Sequence, residues 1–426
     1  MQTQELIAHI QAGGIDETLA YLYGTDEAEL ARQRKRYAAA VRTFVDTYGD
    51  ADVRLFSAPG RTEVGGNHTD HQHGCVLAAS VNLDTIAVVR RADDMRVELL
   101  SEGYDPISTS LDDLAVDEAL FGTTEALIRG VAAGMRERGY AVGGFDAYVT
   151  SEVLGGAGMS SSASFEAVVG EVLSGLYNDG AMDEVTNAQV GQYAENAHFG
   201  KPCGLMDQMA CAVGGFVAID FADPAKPVVE PIAADLAAEG YALCISDTKG
   251  SHADLTDDYA AVPAEMRAVA QCLGKEYLRD VRKEDFMEEL PRVREEAGDR
   301  AALRALHFFG DNERAQAEAT ALKAGDFAEF LRLVRASGDS SFKYLQNIYS
   351  NKDVSHQAVS LALAVSEDVL GDAGVCRVHG GGFAGTIQAF VRLDHVEAYR
   401  AAIDHLFGEG SCHVLSIRPT GATEVR

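Results

Sequence analysis

The chain has 426 residues, 47% of them apolar and 24% charged, as in ordinary globular proteins, and this length accommodates two domains. Its 36 Lys and Arg residues against 66 Asp and Glu residues give a net charge of −30, which disfavours nucleic-acid and anionic-membrane partners. Seven cysteines without a Cys-x-x-Cys pair, no signal-peptide pattern and no membrane-length apolar run predict a cytoplasmic protein without a membrane partner.

The predicted elements mix helices and strands along the whole chain. Periodic apolar residues predict helices at 27–48 and 164–177, and a largely helical region from Ala260 to Leu370. Segments rich in Val, Ile and Thr, or with alternating apolar residues, predict strands within 75–91, 145–153, 385–393 and 412–419. We therefore expect an α/β (α+β) fold, with domains of residues 1–220 and 221–426.

The first polar motif is GRTEVGGNHTDHQHG, from Gly60 to Gly74. Its glycines predict a loop rather than a helix, and the loop carries His68, Asp70, His71 and His73. Imidazole and carboxylate groups are suitable metal ligands, but a loop of this kind can also hydrogen-bond a polyhydroxylated ligand or simply face solvent. The motif alone leaves these three readings open.

The second motif, VLGGAGMSSSASFEAVVG from Val153, joins a predicted strand to a helix. Glycines there permit close approach of a ligand, and the free amides of a first helical turn attract phosphate. The serine hydroxyls can bind phosphate or magnesium, although N-capping of the helix is the alternative role. The predicted phosphate-binding residues are Gly156, Gly158, Ser160, Ser161 and Ser162.

Two further segments carry polar groups in small-residue surroundings. Asp207 lies in an apolar run, where a carboxylate is expected to be paired with a cation or to act as a base. Glu195, twelve residues earlier, is a candidate magnesium ligand or a solvated surface glutamate. The segment CRVHGGGFAGTIQAFV, from Cys376, predicts a glycine loop between two strands that either approaches a ligand or forms a tight turn.

Together these motifs resemble the galactokinases of the GHMP small-molecule kinase superfamily. Ala58–Arg61, Gly66–His71 and Gly74–Leu77 resemble the family's opening signature, and GAGMSSSAS resembles its phosphate loop. CGLMDQ resembles the segment with the catalytic aspartate, His252–Tyr259 the segment that closes over the sugar, and RVHGGGFAG the third signature. The similarity extends from about Phe56 to about Phe390.

The resemblance implies a two-lobed kinase with a mixed N-terminal lobe, a ferredoxin-like C-terminal lobe and an active site between them. It implies ATP and Mg²⁺ as cofactors, a sugar substrate and a monomer or weak homo-oligomer. By the same resemblance, Asp207 is the base with Arg61 beside it, and Ser162 and Glu195 bind Mg²⁺. Sugar contacts are implied for Asn67, His68, Asp70, Gly204 and Tyr259.

Two residues depart from the opening signature. Asn67 replaces a glutamate that in galactokinases reaches towards the 6-hydroxyl of the sugar, and His71 replaces a tyrosine. An asparagine amide can donate hydrogen bonds as well as accept them, so galacturonate is an alternative substrate to galactose. A non-catalytic sugar sensor is the other alternative, although Asp207, Arg61 and the small residues of the phosphate loop are all present.

Overall fold

The computed structural model describes residues 1–153, 158–250 and 255–426, and these form two β-sheets surrounded by helices. The strands are β1 Arg54–Gly65, β2 Cys75–Arg91, β3 Arg96–Ser101, β4 Ile107–Ser110, β5 Phe145–Ser151, β6 Phe216–Asp220, β7 Val228–Ile232, β8 Tyr241–Asp247, β9 Gly374–Val378, β10 Thr386–Arg392, β11 Cys412–Leu415 and β12 Thr423–Val425. The predicted mixed α/β fold is confirmed.

The helices of the first half are α1 Thr3–Gln11, α2 Asp16–Tyr23, α3 Glu27–Tyr48, α4 Thr124–Glu137, α5 Ser161–Tyr177, α6 Glu184–Tyr193 and α7 Met206–Val213. Those of the second half are α8 Thr256–Cys272, α9 Lys283–Glu288, α10 Leu290–Ala297, α11 Asp299–Ala324, α12 Phe327–Ser340, α13 Ala358–Leu370 and α14 Val396–Phe407. Among the described residues, no helix combines the length and the apolar character that crossing a bilayer requires.

The larger sheet has the strand order β12-β1-β2-β5-β3-β4. In addition, β6 pairs with β2, and β7 pairs with β6. Strands β3 and β5 run parallel, whereas β1 is antiparallel to both β2 and β12. The smaller sheet, β11-β8-β10-β9, is antiparallel throughout. The predicted boundary near residue 220 stays a prediction, and both β7 and β12, which follow it, belong to the larger sheet.

A shared apolar core joins the two sheets. It contains Leu77 and Phe216 from the larger sheet, Ile245 and Phe390 from the smaller one, and Phe330 from α12. Burying large apolar side chains on both sides of this contact stabilises it by roughly 1.5–3 kcal/mol for each fully buried residue. The core fixes β1 relative to the glycine loop between β9 and β10, and these two segments border the candidate site.

Several predicted elements are confirmed closely. The predicted helix 27–48 has the bounds of α3, whose first turn is capped by the Asp26 carboxylate accepting from the Glu29 amide at 3.0 Å. Helix α5 begins at Ser161, three residues before its predicted start, and ends as predicted at Tyr177. The predicted helical character of residues 260–370 and the strands at both ends of the glycine loop are also confirmed.

The prediction of a loop throughout Gly60–Gly74 is wrong for its first part. Residues 60–65 continue β1, pairing with β2 across two register shifts, between Pro59 and Arg61 and between Glu63 and Gly65. These irregularities allow Pro and Gly residues inside a paired strand, where composition alone indicates a break. Only residues 66–74 form the loop, which includes a single 3₁₀ turn at Asp70–Gln72.

Candidate active site

A cavity of about 190 Å³ lies where β1, the loop after it, the segment before α7 and the glycine loop meet. Five of the predicted site residues border it, and they come from three separate parts of the sequence. They are Arg61, His68, Asp70, Gly204 and Asp207. The fold thus brings the predicted base, its cationic neighbour and three predicted sugar contacts around one cavity.

Arg61 and Asp207 form a two-point ion pair at one side of this cavity. Arg61 Nε donates to Asp207 Oδ1 at 2.8 Å, and Arg61 Nη2 donates to Oδ2 at 2.9 Å. Asp207 lies in the first turn of α7, and 35% of its side chain is exposed, whereas Arg61 is 7% exposed. The guanidinium is therefore enclosed by protein, while the carboxylate is open to a ligand.

The charge state of Asp207 follows from these contacts. Burial raises the pKa of Asp207. The attraction and hydrogen bonds of Arg61, together with the hydrogen bond from the Ser160 hydroxyl, lower it, and the net pKa is below the usual 3.8. The carboxylate is ionised at neutral pH and can accept a hydrogen bond from a substrate hydroxyl. The sequence expectation of a cation-paired carboxylate is met by Arg61.

The described part of the predicted phosphate loop is attached to the same pair. Arg61 Nη1 donates to the carbonyl of Gly158, and the Arg61 amide donates to the carbonyl of Met159 at 3.2 Å. Ser160 has a left-handed conformation, with φ of 55°, and its hydroxyl donates to Asp207. Gly155 and Gly156 lie outside the described residues.

The serines differ in what their hydroxyls do. Ser160 precedes α5 but makes no side-chain hydrogen bond to its first turn, so the capping role considered from the sequence is not what Ser160 performs. Ser161 is exposed at the start of the helix, and Ser162 is half-buried. The first-turn amides of α5 therefore have no side-chain cap, and they carry the partial positive charge of a helix start.

Glu195 lies in a π-helical turn, Ala194–Phe199, that follows α6 and directs its side chain inward. Ser162 Oγ is 3.4 Å from Glu195 Oε1, and the same oxygen accepts from Lys201 Nζ at 3.0 Å. The Glu195 side chain is 4% exposed and that of Lys201 is 63% exposed. The alternative reading of Glu195 as a solvated surface residue is wrong, because the side chain is buried.

One hydroxyl oxygen and one carboxylate oxygen at this spacing fit the preferences of Mg²⁺. This ion binds one or two protein oxygens and completes its coordination shell with phosphate and water oxygens. Behind them, Gln208 Nε2 donates to Glu195 Oε2 at 2.9 Å and to Glu166 Oε2 at 3.0 Å. Burial, together with the nearby Glu195 carboxylate, raises the pKa of Glu166 well above its usual value. Gln208 therefore orients Glu195 from behind.

The opposite side of the cavity is formed by the loop after β1. His68 Nε2 donates to the carbonyl of Gly381 at 3.0 Å, which assigns the proton to that nitrogen because a carbonyl only accepts. Burial and His71 lower the pKa of His68 to about 3, so its ring is neutral. Asp70 approaches Gly204 so closely that a Cβ at residue 204 would overlap its carboxylate. A larger residue there would therefore displace the Asp70 carboxylate from its position at the cavity.

Asn67 is fully enclosed behind this wall and is not among the residues that border the cavity, and its implied sugar contact stays a prediction. Its Nδ2 donates to Glu63 Oε1 and to the carbonyl of Gly380, both at 2.8 Å. Its Oδ1 accepts from Asn347 Nδ2 at 2.8 Å and from Ser341 Oγ at 3.2 Å. All four hydrogen-bonding positions of the amide are occupied within the protein.

Tyr259, from α8, lies against the glycine loop. Its hydroxyl donates to the carbonyl of Gly382 at 2.7 Å, and its ring packs edge-on against Phe383 with centroids 5.3 Å apart. A Cβ at Gly381 would touch the Tyr259 ring, so the loop approaches this side chain as closely as glycine allows. Tyr259 borders the loop rather than the cavity itself, and His252, from the same predicted segment, lies outside the described residues.

The histidines of the loop do not converge on one point. The rings of His68 and His71 have centroids 5.7 Å apart, whereas the ring of His73 stacks on Tyr277 at 3.7 Å. Across residues 1–153, 158–250 and 255–426, no group of three or more His, Cys, Asp or Glu side chains is arranged to hold a metal ion. His73 therefore serves in packing at the edge of the loop.

Sequence reasoning missed two residues of the site. Glu63 borders the cavity, and its Oε1 accepts from Arg377 Nη2 at 2.9 Å. Arg377 is fully enclosed and comes from β9, more than three hundred residues away. The position of Glu63 two residues after Arg61 was a usable signal, since residues i and i+2 of a strand share a face. The break predicted at the glycines concealed it.

Comparison with known proteins first defines the class. Residues 126–215 match the family described as GHMP kinases N terminal domain. The fold is similar to mevalonate kinase of Methanococcus jannaschii, with a TM-score of 0.60 and 14% identity, covering 86% of this chain and 99% of that one. These similarities confirm the predicted two-lobed GHMP kinase fold.

The more specific matches agree on one branch of that class. Residues 42–91 match the family described as Galactokinase galactose-binding signature. A galactokinase of Streptomyces coelicolor is 31% identical over 369 residues, covering 85% of this chain and 91% of that one. The structure of Lactococcus lactis galactokinase complexed with galactose has a TM-score of 0.78 and 25% identity, covering 91% of this chain and 99% of that one.

The chain belongs to the galactokinase family. It is a sugar kinase of that type, and ATP is the phosphate donor that such kinases use. The family resemblance inferred from the motifs is confirmed. The protein is an enzyme rather than a non-catalytic sensor.

Proposed function

We propose that the protein transfers the γ-phosphate of ATP to the anomeric (C1) hydroxyl of D-galactose, giving galactose 1-phosphate and ADP. Asp207 is the base, and Mg²⁺ is carried on the nucleotide phosphates. The observation that carries this proposal is the Arg61–Asp207 pair, which borders the cavity with an ionised, partly open carboxylate. The carbonyl of Gly158 and the hydroxyl of Ser160 attach the phosphate loop directly to that pair.

In the proposed reaction, an Asp207 oxygen accepts the hydrogen bond of the anomeric hydroxyl and orients its oxygen towards the phosphorus. A new O–P bond forms as the bond from the γ-phosphorus to the β-phosphate oxygen breaks, ADP leaves, and the hydroxyl proton passes to Asp207. Because Arg61 keeps the pKa of Asp207 low, positioning contributes more than basicity, as expected for a loose phosphoryl-transfer transition state. Arg61 also offsets negative charge near the reacting oxygens.

The phosphate groups of ATP are proposed to lie at the start of α5, against the first-turn amides and the hydroxyls of Ser161 and Ser162. Gly156, which is outside the described residues, remains part of the proposed cradle with Gly158. Ser162 and Glu195 would hold Mg²⁺, which when bound neutralises charge on the phosphate oxygens. Lys201 would leave the Glu195 oxygen on metal binding, as its exposed side chain permits.

His68, Asp70 and Gly204 are the proposed sugar contacts, and Tyr259 supports the glycine loop beside them. The amide of Asn67 is occupied by Glu63 and Gly380, so it gives no support to a galacturonate substrate. All of these residues belong to one chain, which is consistent with a monomer or weak homo-oligomer as the active form.

The test is ADP release with ATP and Mg²⁺ over galactose, 2-deoxygalactose, talose, galacturonate, glucose and N-acetylgalactosamine. We expect galactose to be preferred, and we expect 1-deoxygalactose, which lacks the anomeric hydroxyl, to be inert. Chelation by EDTA should stop turnover, and excess Mg²⁺ should restore it. Turnover of 1-deoxygalactose would contradict transfer to C1, and activity in EDTA would contradict the role of Ser162 and Glu195.

A further inference from the structure

A second carboxyl group borders the sugar side of the cavity, and the roles described above leave it unused. Glu63 lies on β1 two residues after Arg61, and residues 61–63 pair regularly with Ser80, Ala79 and Ala78 of β2. Side chains two residues apart on a regular strand lie on one face, about 7 Å apart. Glu63 and the Arg61–Asp207 pair are therefore neighbours along the same wall.

The two oxygens of Glu63 have different surroundings. Oε1 accepts from Asn67 Nδ2 at 2.8 Å and from Arg377 Nη2 at 2.9 Å. Oε2 accepts no hydrogen bond from the described residues, and it is not among the enclosed side-chain atoms that lack a partner. One oxygen is thus fixed by the protein, and the other remains accessible from the cavity that Glu63 borders.

A hydrogen bond joins the side chains of Asn67 and Glu63. In galactokinases, as the opening signature indicates, residue 67 is a glutamate that reaches towards the 6-hydroxyl. Here Asn67 is withdrawn behind the wall, and its amide holds the carboxylate of Glu63 in the wall instead. A carboxylate is therefore present at this side of the cavity although residue 67 does not carry one.

We propose that Glu63 determines the substrate's C6 group, with Oε2 accepting a hydrogen bond from a neutral 6-hydroxyl and repelling a 6-carboxylate. The inference rests on the proposed function in that it takes the anomeric carbon to lie at Asp207. Arg377 and Asn67 hold the carboxylate in place, and they are positioning residues because neither borders the cavity. The ionised form of Glu63 thereby disfavours galacturonate by charge.

The pKa of Glu63 lies close to neutral pH. Burial raises its pKa, and so does the Asp70 carboxylate on the same cavity, whereas Arg377, Arg61 and the hydrogen bond from Asn67 lower it in part, and the resulting pKa is about 7. Above that pH the carboxylate is ionised and accepts hydrogen bonds only, so discrimination against a 6-carboxylate should increase as pH rises from 6 to 8. Below it, the neutral acid can donate to a carboxylate, and discrimination should decrease.

The decisive variant is Glu63→Gln. A glutamine carbonyl can still accept from Asn67 and Arg377, while its amide nitrogen offers a donor to the cavity in place of the carboxylate. We expect kcat/KM for galactose to fall about tenfold and that for galacturonate to rise about tenfold, chiefly through KM, since a charge-assisted hydrogen bond is worth about 1.4 kcal/mol or more. The ratio of the two sugars should also lose its dependence on pH between 6 and 8.

The matched control is Glu171→Gln. Burial raises the pKa of Glu171 to about 7 as well, but this residue lies on α5 near Arg54 and Glu424, away from the cavity. It should leave the sugar ratio unchanged. The variant Glu63→Asp retains the charge on a shorter side chain, so it should weaken galactose binding while still excluding galacturonate.

Binding of both sugars without ATP, measured by calorimetry on the wild type and both Glu63 variants, separates this inference from the proposed function. Discrimination that follows the charge of residue 63 supports the inference even if turnover fails and the proposed reaction is wrong. An unchanged galactose-to-galacturonate binding ratio in Glu63→Gln overturns it. So does an equal loss of both sugars with a lowered thermal midpoint, because that outcome indicates a purely structural role.

Discussion

Two Arg–Asp groups, one with its arginine on β1 and the other with its aspartate on the neighbouring β2, differ in how far the protein covers the carboxylate. Asp84, on β2, is fully enclosed and accepts from Arg36 Nη1 at 2.6 Å and from Arg418 Nη1 at 3.0 Å. Asp207 accepts from Arg61 at 2.8 and 2.9 Å, with a third of its side chain exposed. In both, burial raises the carboxyl pKa, but the paired guanidinium groups and the hydroxyl hydrogen bonds together lower it, so that the net pKa is below the usual 3.8.

The difference lies in what covers the carboxylate. The oxygens of Asp84 also accept from the hydroxyls of Tyr23 and Ser57, so the protein encloses them completely. Among the described residues, Asp207 accepts from Ser160 in addition to Arg61, and its remaining side borders the cavity. A depressed pKa therefore does not distinguish the enclosed Asp84 from Asp207, the proposed base, whereas access to the carboxylate does.

The largest expected effect is that of Asp207→Asn on turnover. The amide cannot take the hydroxyl proton, so kcat should fall by roughly 100- to 10,000-fold, the usual contribution of a general base. Galactose binding should change little, whereas the thermal midpoint should fall, because Arg61 is enclosed and loses its charged partner, but by less than in Asp84→Asn, because one side of Asp207 is open to water. Single-turnover kinetics together with calorimetric sugar binding measure both. Retention of more than a tenth of wild-type kcat would remove Asp207 from the base role.

The reverse result is expected for Asp84→Asn. Loss of this charge leaves Arg418 enclosed without its counter-ion and Arg36 with Glu152 as its remaining carboxylate partner, and breaking a buried pair in this way costs about 3–5 kcal/mol of the free energy of unfolding. At temperatures where the variant is folded, kcat should stay within about twofold of wild type. Urea unfolding followed by circular dichroism tests the first part. A large fall in kcat with an unchanged midpoint would contradict the comparison.

Replacing the cations sharpens the contrast further. Arg61→Lys keeps the charge but loses the second hydrogen bond to Asp207 and the contact with Gly158, so kcat should fall roughly 10- to 100-fold. Arg418→Lys should instead lower the unfolding midpoint with little effect on kcat. Steady-state kinetics and thermal unfolding of both variants are the measurements. Similar effects of the two substitutions on kcat would mean that access does not separate the two groups.

The smallest effect concerns acid stability. Both aspartates have a folded-state pKa below the ordinary 3.8, so their stabilising contribution is present above that value and is lost as pH falls through the folded-state pKa. The free energy of unfolding of Asp84→Asn should therefore decline less than that of wild type between pH 5 and pH 3. Asp207→Asn should show a smaller difference, since water screens its ion pair. Urea midpoints at several pH values test which of the two variants differs more from wild type in its loss of stability at low pH.

Local patterns in the sequence predicted what depends on local interactions. Helix α3 was predictable because its apolar spacing and its Asp26 cap belong to one continuous stretch of the sequence. The pairing of Asp207 with a cation followed from the cost of an isolated buried carboxylate. The roles of Glu63 and Asn67 did not, because they depend on Arg377 and Asn347, which only the folded chain brings to β1. The enclosure of Asp84 is of the same kind, with contacts from both ends of the chain.

The pairing of β12 with β1 has a consequence for how the protein is made. Arg54 and Glu424, which are joined by an ion pair across these strands, are separated by 370 residues. The strand that carries Arg61 and Glu63 therefore has a neighbour on one edge throughout most of synthesis and gains the second only after the ribosome has released Glu424. Contacts of such sequence separation form slowly. A nascent chain stalled before Arg418 would also leave the Asp84 carboxylate short of one guanidinium, and should be a substrate for chaperones or proteases.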